Sequence, residues 1–319
     1  MNNIFLELSG IYPRSEALIA ATRDYDRKRI SLSQLQATLK QQQDSLCQFQ
    51  KKLGIKVLAD GQLNWQDIFR PFGVFCREIE PGTLTRFADT NTFFRQPVIT
   101  GRLSFDGSRL AEYFYGLAAK GNYKATLPAP FFLARVADDQ YYHLVNKLAL
   151  AFTEVLISLI NKLKQHGYSS FQLYDPCLGY LGANKKELEI IRTITKMLIA
   201  RTKAKIYYQT SFSASQAAVK ALIGAGVQGI GIDFFNTDIK KLPNFQGKID
   251  LLAGCLDSRS SLVEDVSTLV KFLREAIKII KPRRLIATSN IDLQFVPQNI
   301  AQKKLTNLRQ AIELVKNKI

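Results

Sequence analysis

Carboxylates, amides, hydroxyls and arginines recur in this 319-residue chain just after short apolar runs. Gly10-Ile11-Tyr12-Pro13-Arg14-Ser15 follows one such run. Asp60-Gly61-Gln62, with Trp65 and Asp67 just beyond, follows another. Tyr174-Asp175-Pro176-Cys177, Gln209-Thr210-Ser211, Asp233, Asp257-Ser258-Arg259 and Ser289-Asn290 occupy the same position after later runs. Such groups can orient a small ligand, and Arg14 and Arg259 can grip a carboxylate or phosphate through paired N–H donors. Any one Asp after a strand can equally do no more than cap the next helix. Gathered on one rim, the set points to a ligand site. Histidine chemistry is not expected. His143 sits at a helix start, and His166 at a helix end, where a cation complements the terminal carbonyls. Cys177 and Cys255 reach the rim, but small buried residues need no chemical role. Gly224-Ala225-Gly226-Val227-Gln228-Gly229 has G-x-G-x-x-G spacing, yet it follows a helix and leads into a strand. A dinucleotide site requires the reverse order, so this reads as a helix stop and a tight turn.

The elements that must position these residues alternate along the chain. Strands are predicted at 4–9, 55–60, 123–127, 170–174, 205–209, 229–233, 249–253 and 285–288. They are rich in Ile, Leu, Val and aromatics and do not alternate with polar residues, as suits parallel strands covered on both faces. Helices are predicted at 32–53, 140–165, 185–200, 213–224, 262–280 and 298–316, with Gly167, Gly226 and Pro282 after three of them. Strand–helix alternation with eight strands predicts an α/β fold closed into a (β/α)8 TIM barrel. A doubly wound open sheet is the alternative. Residues 83–105 break the rhythm and read as a β-ribbon insertion after the second strand, before a helix near 108–119. There is no low-complexity stretch or linker, so residues 1–319 are expected to form a single domain.

Bulk composition narrows the classes. Lys and Arg outnumber Asp and Glu by 44 to 27, a net charge of +17. That suits an anionic partner, but no aromatic-plus-basic RNA motif accompanies it, and nucleic-acid binding is not expected as the main function. Between 271 and 319, eleven basic residues face three acids, on what read as the outer faces of two amphipathic helices. No apolar run reaches the ~18 residues of a membrane span. The N-terminal segment lacks a basic region followed by a cleavage site. The four scattered cysteines form no C-x-x-C pair, which fits a reducing, cytoplasmic setting.

In order along the chain, the rim segments resemble the cobalamin-independent methionine synthase family, in its single-barrel, core catalytic type. Gly10-Ile11-Tyr12-Pro13-Arg14 resembles G-S-[FY]-P-R, and Asp60-Gly61-Gln62 with Trp65 and Asp67 resembles D-G-[EQ]-x-x-W-x-D. Leu127-Pro128-Ala129-Pro130 is similar to L-P-G-P, and Phe171-Gln172-Leu173-Tyr174-Asp175-Pro176-Cys177-Leu178 to [IV]-Q-[IV]-D-E-P-A-L. Gly254-Cys255-Leu256-Asp257-Ser258-Arg259 resembles G-x-[IV]-D-x-R, with Glu264 five residues on. The resemblance implies a barrel whose mouth binds an amino acid and a methyl donor, a folate or a corrinoid. It also implies a zinc ion, held by one His, two Cys and one Glu, that makes homocysteine a thiolate.

Residue by residue, the zinc ligands do not carry over. The family's H-x-C falls on Gln209-Thr210-Ser211, its Glu on Asp233 and its last Cys on or near Ile291. The carboxylate that grips the substrate amine falls on Tyr174. An amide, a hydroxyl and one carboxylate make a poor Zn²⁺ site, so no metal ligand is assigned and zinc is not expected. Arg259 and Asp257 stand where the family places its proton donor or substrate-binding group and are taken as catalytic. Arg14, Gln62, Trp65, Tyr174, Asp175, Gln209, Ser211 and Asp233 are taken as substrate-binding. The expected partner is a small anionic molecule, with a corrinoid protein or another protein partner left open and no membrane. The expected function is a methyl or one-carbon transferase, or a derivative of one. A non-catalytic ligand-binding or accessory paralogue is the alternative, and an enzyme like uroporphyrinogen decarboxylase a further one. A zinc enzyme with ligands relocated to Cys177, Cys255 and Asp233 also stays open.

Overall fold

A computed structural model describes residues 3–88, 90, 92–117 and 121–317. Eight strands form one parallel sheet that curls into a TIM-barrel-like wall: β1 (Ile4–Leu6), β2 (Leu58–Ala59), β5 (Tyr123–Pro128), β7 (Tyr168–Tyr174), β8 (Lys205–Gln209), β9 (Gly229–Asp233), β10 (Asp250–Leu256) and β11 (Leu285–Ser289). The order is β1-β11-β10-β9-β8-β7-β5-β2, and every pair is parallel. The two end strands meet at their exits, where the Tyr12 N–H donates to the Gly61 carbonyl at 2.9 Å. All eight predicted strand positions are occupied, and the eight-stranded closure favours the barrel over the open sheet.

The insertion also lies where expected, after β2. It is a three-stranded sheet of β3 (Ile79–Arg86), β4 (Phe93–Ile99) and β6 (Asp138–Asp139), with β3 and β4 antiparallel. Positions 89 and 91 of the predicted ribbon lie outside the described residues. The helix predicted at 108–119 is instead two single 3₁₀ turns, Leu110–Glu112 and Tyr115–Leu117, and positions 118–119 lie outside the described residues. The cause is local. The Phe114 ring meets Trp65 and Tyr168 while the adjacent Tyr115 ring meets Tyr123. One face of a straight helix cannot turn two consecutive rings inward.

Nine α-helices are described: α1 (Glu16–Asp26), α2 (Leu32–Lys52), α3 (Phe72–Phe75), α4 (Pro130–Val136), α5 (Val145–Lys164), α6 (Lys185–Thr202), α7 (Gln216–Ala225), α8 (Val266–Ile280) and α9 (Gln298–Lys316). Their ends follow capping chemistry. Ser31 with Gln34 and Asn184 with Glu187 form reciprocal capping boxes on α2 and α6, and Gly226 stops α7 in the left-handed region. Helices α1, α3 and α4 were not predicted. The first is a short run capped by Ser15, and α4 is so thoroughly buried that it shows no polar face to give it a helical period.

The barrel interior is unusually polar. Gln172 on β7 reaches Ser9 beyond β1 at 3.0 Å, across strands that are not neighbours in the sheet. Thr288 donates to the same Ser9 hydroxyl at 3.1 Å. Below them Lys124, 1% exposed, donates to Glu7 at 3.0 Å. A buried ammonium is tolerated only when paired, because leaving either charge alone forfeits its hydration with nothing in return. We therefore expect Lys124→Met to lower unfolding free energy by roughly 3 kcal/mol in urea titrations. The pair Lys124→Met with Glu7→Gln should recover at least half of that loss. If the double change costs as much as the sum of the two single changes, the ion pair does not hold the interior in this way.

Candidate functional site

Strand exits deliver the rim residues, and one amide ties them together. Asn290, fully buried just past β11, accepts the N–H groups of Ser258 at 3.0 Å and Ile291 at 2.9 Å through Oδ1. Its Nδ2 donates to Asp257 at 3.1 Å and to Asp233 at 3.3 Å. Its carbonyl accepts the Gln209 amide at 3.0 Å, and Gln209 in turn accepts from Gln172 at 3.3 Å. Gly231 makes room for that amide, since a Cβ there would stand 1.9 Å from Gln209 Oε1. The exits of β8, β9, β10 and β11 are thus locked by one satisfied network.

Asp233 is fully buried and already accepts from Phe235 N–H at 2.9 Å and Asn236 Nδ2 at 3.0 Å. Arg259 lies 3.8 Å from it and donates to Asp257 at 3.1 Å. The Asp257 N–H donates to Glu264 at 2.8 Å, and Glu264 pairs at 2.8 Å with the fully buried Lys304 on α9. A chain of charges therefore runs from α9 to the Arg259 guanidinium.

Beside this network lies a cavity of about 480 Å³, between the exits of β1 and β11 and the ribbon residues Phe87, Phe93 and Phe94. Arg14 and Asp292 line it. Burial draws the Arg14 guanidinium below its usual range, and among the described residues no carboxylate lies within 4.0 Å of it. Asp292 accepts the Ile11 N–H at 3.2 Å, and Gly10 must lack a side chain because a Cβ would lie 1.5 Å from Asp292 Oδ1. Burial pushes the Asp292 carboxyl up to about 7, against the pull of Ile11 and Gln294.

Tyr174 and Ser211 sit under an aromatic cover. Phe87 lies 6.2 Å from the Tyr174 ring and 6.3 Å from Phe212. Ser211 is beside Tyr174, but among the described residues neither hydroxyl has a well-aligned hydrogen-bond partner, and neither does Gln62 Oε1. Burial drives the Tyr174 phenol well above its usual range, and the nearby Asp292 and Asp233 add to the shift.

The predicted residues thus divide. Gln209, Asp233, Asp257 and Arg259 share the Asn290 network. Tyr174 and Ser211 adjoin it beneath Phe87, and Arg14 faces the cavity. Gln62 holds the Thr126 carbonyl at 3.0 Å at the β2 exit. Trp65 and Asp175 are not brought to this cluster. Trp65 is packed in the wall, donating to the Tyr113 carbonyl at 3.0 Å. Asp175 points behind β7, accepting from Tyr208 at 2.8 Å and Cys177 N–H at 2.9 Å. Cys177 lies with it, and burial pushes the Cys255 thiol up to about 12 beside the Thr288 carbonyl. Among the described residues no group of three or more His, Cys, Asp or Glu is placed to hold a metal ion, so Cys177, Cys255 and Asp233 do not converge. The sequence reading passed over Asp292 and Gln172, and it placed Asn290 on the rim without a role. A polar residue inside an apolar strand, as at Gln172, was the available signal.

A family profile described as cobalamin-independent synthase, N-terminal domain, matches residues 73–281. A methionine synthase of Sulfurisphaera tokodaii is 21% identical over 316 residues, covering 97% of this chain and 92% of its own. One of Pyrococcus horikoshii is 21% identical over 322 residues with the same coverage, 97% and 92%. A B12-independent methionine synthase from a Shewanella species, solved in complex with selenomethionine, superposes with a TM-score of 0.74 at 15% identity over 91% of each chain. A methyltransferase from Methanosarcina mazei gives 0.66 at 11% identity, over 99% of this chain and 95% of its own. The two solved structures share the fold with this chain.

Two expectations follow from the geometry. The folded Asp292 carboxyl holds its proton to about 7, whereas an unfolded one releases it near ~4. Between those values the folded chain binds the extra proton, so this group's contribution to stability falls as pH rises through the window. Asp292→Asn should therefore gain on the native protein by on the order of 2–4 kcal/mol between pH 5 and pH 8, read from urea unfolding at each pH. A pH-independent difference would mean the carboxyl is not perturbed. Asn290→Asp should lose roughly 3 kcal/mol at neutral pH by setting a third carboxylate between Asp233 and Asp257, and less at pH 5.

Proposed function

The chain belongs to the cobalamin-independent methionine synthase family, and from that premise we propose that it is a methyl or one-carbon transferase, or a derivative of one, acting on a small anionic ligand at the barrel mouth without the family's zinc. The observation that carries this is Arg14, a half-buried guanidinium with no carboxylate partner among the described residues, in the wall of a 480 Å³ cavity. A ligand carboxylate or phosphate in that cavity would complete the bidentate pairing the fold leaves open.

Zinc is tested by the donors present. The resemblance assigns ligands to positions 209, 211, 233 and 291; Gln209, Asp233 and Ile291 each bond to Asn290, and Ser211 lies beside Tyr174. What they offer is an amide, a hydroxyl, an alkyl chain and one carboxylate already engaged by N–H donors. This set does not fit Zn²⁺, which takes thiolate, imidazole and free carboxylate. Arg14 would hold the anionic group, and Arg259, oriented by Asp257 and Asp233, would stabilise charge on the reacting end. The Tyr174 and Ser211 hydroxyls would complete their hydrogen bonds on the ligand, and Phe87 would keep water out. Positioning of this kind accelerates transfer to a nucleophile that is already reactive.

A second reading, a ligand-binding or accessory protein without turnover, draws on one observation. Tyr174, Ser211 and Asp233 are all sealed from solvent, and the Phe87 ring lies 6.2 Å from that of Tyr174, so a reactant must displace side chains to reach them.

Calorimetry with L-homocysteine, a methylated folate and methylcobalamin separates these readings. At least one should bind, and Arg14→Gln should weaken it about 10- to 100-fold. Binding by none of the three would remove the proposal. Binding without methionine formation would leave the second reading standing. Near-equimolar zinc after gentle purification would overturn the zinc-free site. The triple change Gln209→His, Ser211→Cys and Ile291→Cys should create zinc affinity where the native chain has none.

A further inference from the structure

The opposite end of the barrel carries a second concave site, away from the mouth. A cavity of about 520 Å³ opens at the N-terminal ends of the strands. Five of its lining residues are cations: Lys56 before β2, Lys205 at the start of β8, Arg284 before β11, and Arg309 and Lys316 on α9. Sequence patterning assigns the basic excess of the last fifty residues to outward helix faces, but the fold turns part of it into this cup.

The charges are held rather than loose. Asp250 fixes Arg284 at 2.6 Å, and Glu313 holds Arg309 at 2.9 Å. Lys316 lies 3.9 Å from the same Glu313. The one acidic residue in the lining, Glu7, is neutralised by Lys124 at 3.0 Å. Lys56 and Lys205, both exposed, have no carboxylate within 4.0 Å among the described residues. The backbone keeps the cup open. Gly54 has φ +71°, and a Cβ there would press on the Arg309 guanidinium at 3.3 Å. Hydroxyl and amide donors, Ser169 and Asn122, join the wall.

We propose that this base cavity binds a compact oligophosphate anion. Three arguments select that class. Cations converge from several directions, and tetrahedral phosphate oxygens accept from more directions than a planar carboxylate. The volume falls in the range of small-ligand sites. The surface is a cup, whereas a duplex or single strand is met by an extended stripe or groove. Two guanidiniums pre-oriented by carboxylates lose little freedom when an anion arrives, and two lysines without such partners supply the uncompensated charge.

The test is calorimetric titration of the full chain with pyrophosphate at low salt. One saturable site is expected. Lys56→Glu and Lys205→Glu should each weaken it at least about ten-fold, about the effect of one lost charge pair. Both side chains are exposed, so the variants should stay folded, which circular dichroism checks. Lys220→Glu, on the outside of α7, should change affinity by less than about two-fold, because exposed charges beyond a Debye length are screened. Arg14→Gln, at the other end of the barrel, should leave pyrophosphate binding intact. Failure of the mouth chemistry and failure of this site are therefore separable. The proposal is overturned if pyrophosphate shows no saturable heat, or if Lys220→Glu weakens binding as much as the two base lysines. It is also overturned if an oligonucleotide binds and pyrophosphate fails to displace it.

Discussion

A buried amide that must find a partner for every donor and acceptor sets the architecture of the mouth. Asn290 can be satisfied only if the exits of β8, β9, β10 and β11 stand where they do, because its partners come from all four. In an apolar barrel core, side chains can slide or repack at modest cost. A polar one has no such tolerance, since each lost bond leaves a group dehydrated and unpaired. The network thereby fixes the Arg259 loop and the Asp233 carboxylate relative to each other before any ligand arrives.

The same logic runs down the barrel axis. Gln209, Gln172, Ser9 and Thr288 form a ladder of short polar contacts, and below them Lys124 and Glu7 close the interior with a buried ion pair. The two ends of the barrel are then electrostatically distinct. The mouth mixes acids with two arginines under an aromatic cover, so charge is concentrated and shielded from water. The base is an open cationic cup. One fold therefore presents two cavities of different charge character, separated by the polar ladder.

One residue gathers groups from separate strand exits. Gln209 and Asp233 come from different strands, and both bond to Asn290. It ties strands β8 and β9 to β11 by hydrogen bonds, and its Nδ2 lies between the Asp233 and Asp257 carboxylates.

Much of the barrel was legible in the sequence, because parallel strands covered on both faces must be continuous apolar runs, and eight such runs alternating with helical patterns leave few architectures. The rim was legible for the same reason, since residues that follow those runs must lie at strand exits. Side-chain direction was not. Gln209 and Asp233 end their strands, whereas Trp65 and Asp175 lie beyond theirs, where backbone conformation decides which way a side chain turns, and both turn into the wall. Nothing in the local sequence marks Asp292, whose proton affinity is raised by burial that only the tertiary structure supplies. The base cavity is the clearest case. Lys56, Lys205, Arg284, Arg309 and Lys316 are far apart along the chain, and only barrel closure brings their charges to one cup. Sequence determines which residues are apolar enough to build the wall. Long-range packing decides which polar groups lose water together, and that desolvation gives them their chemistry.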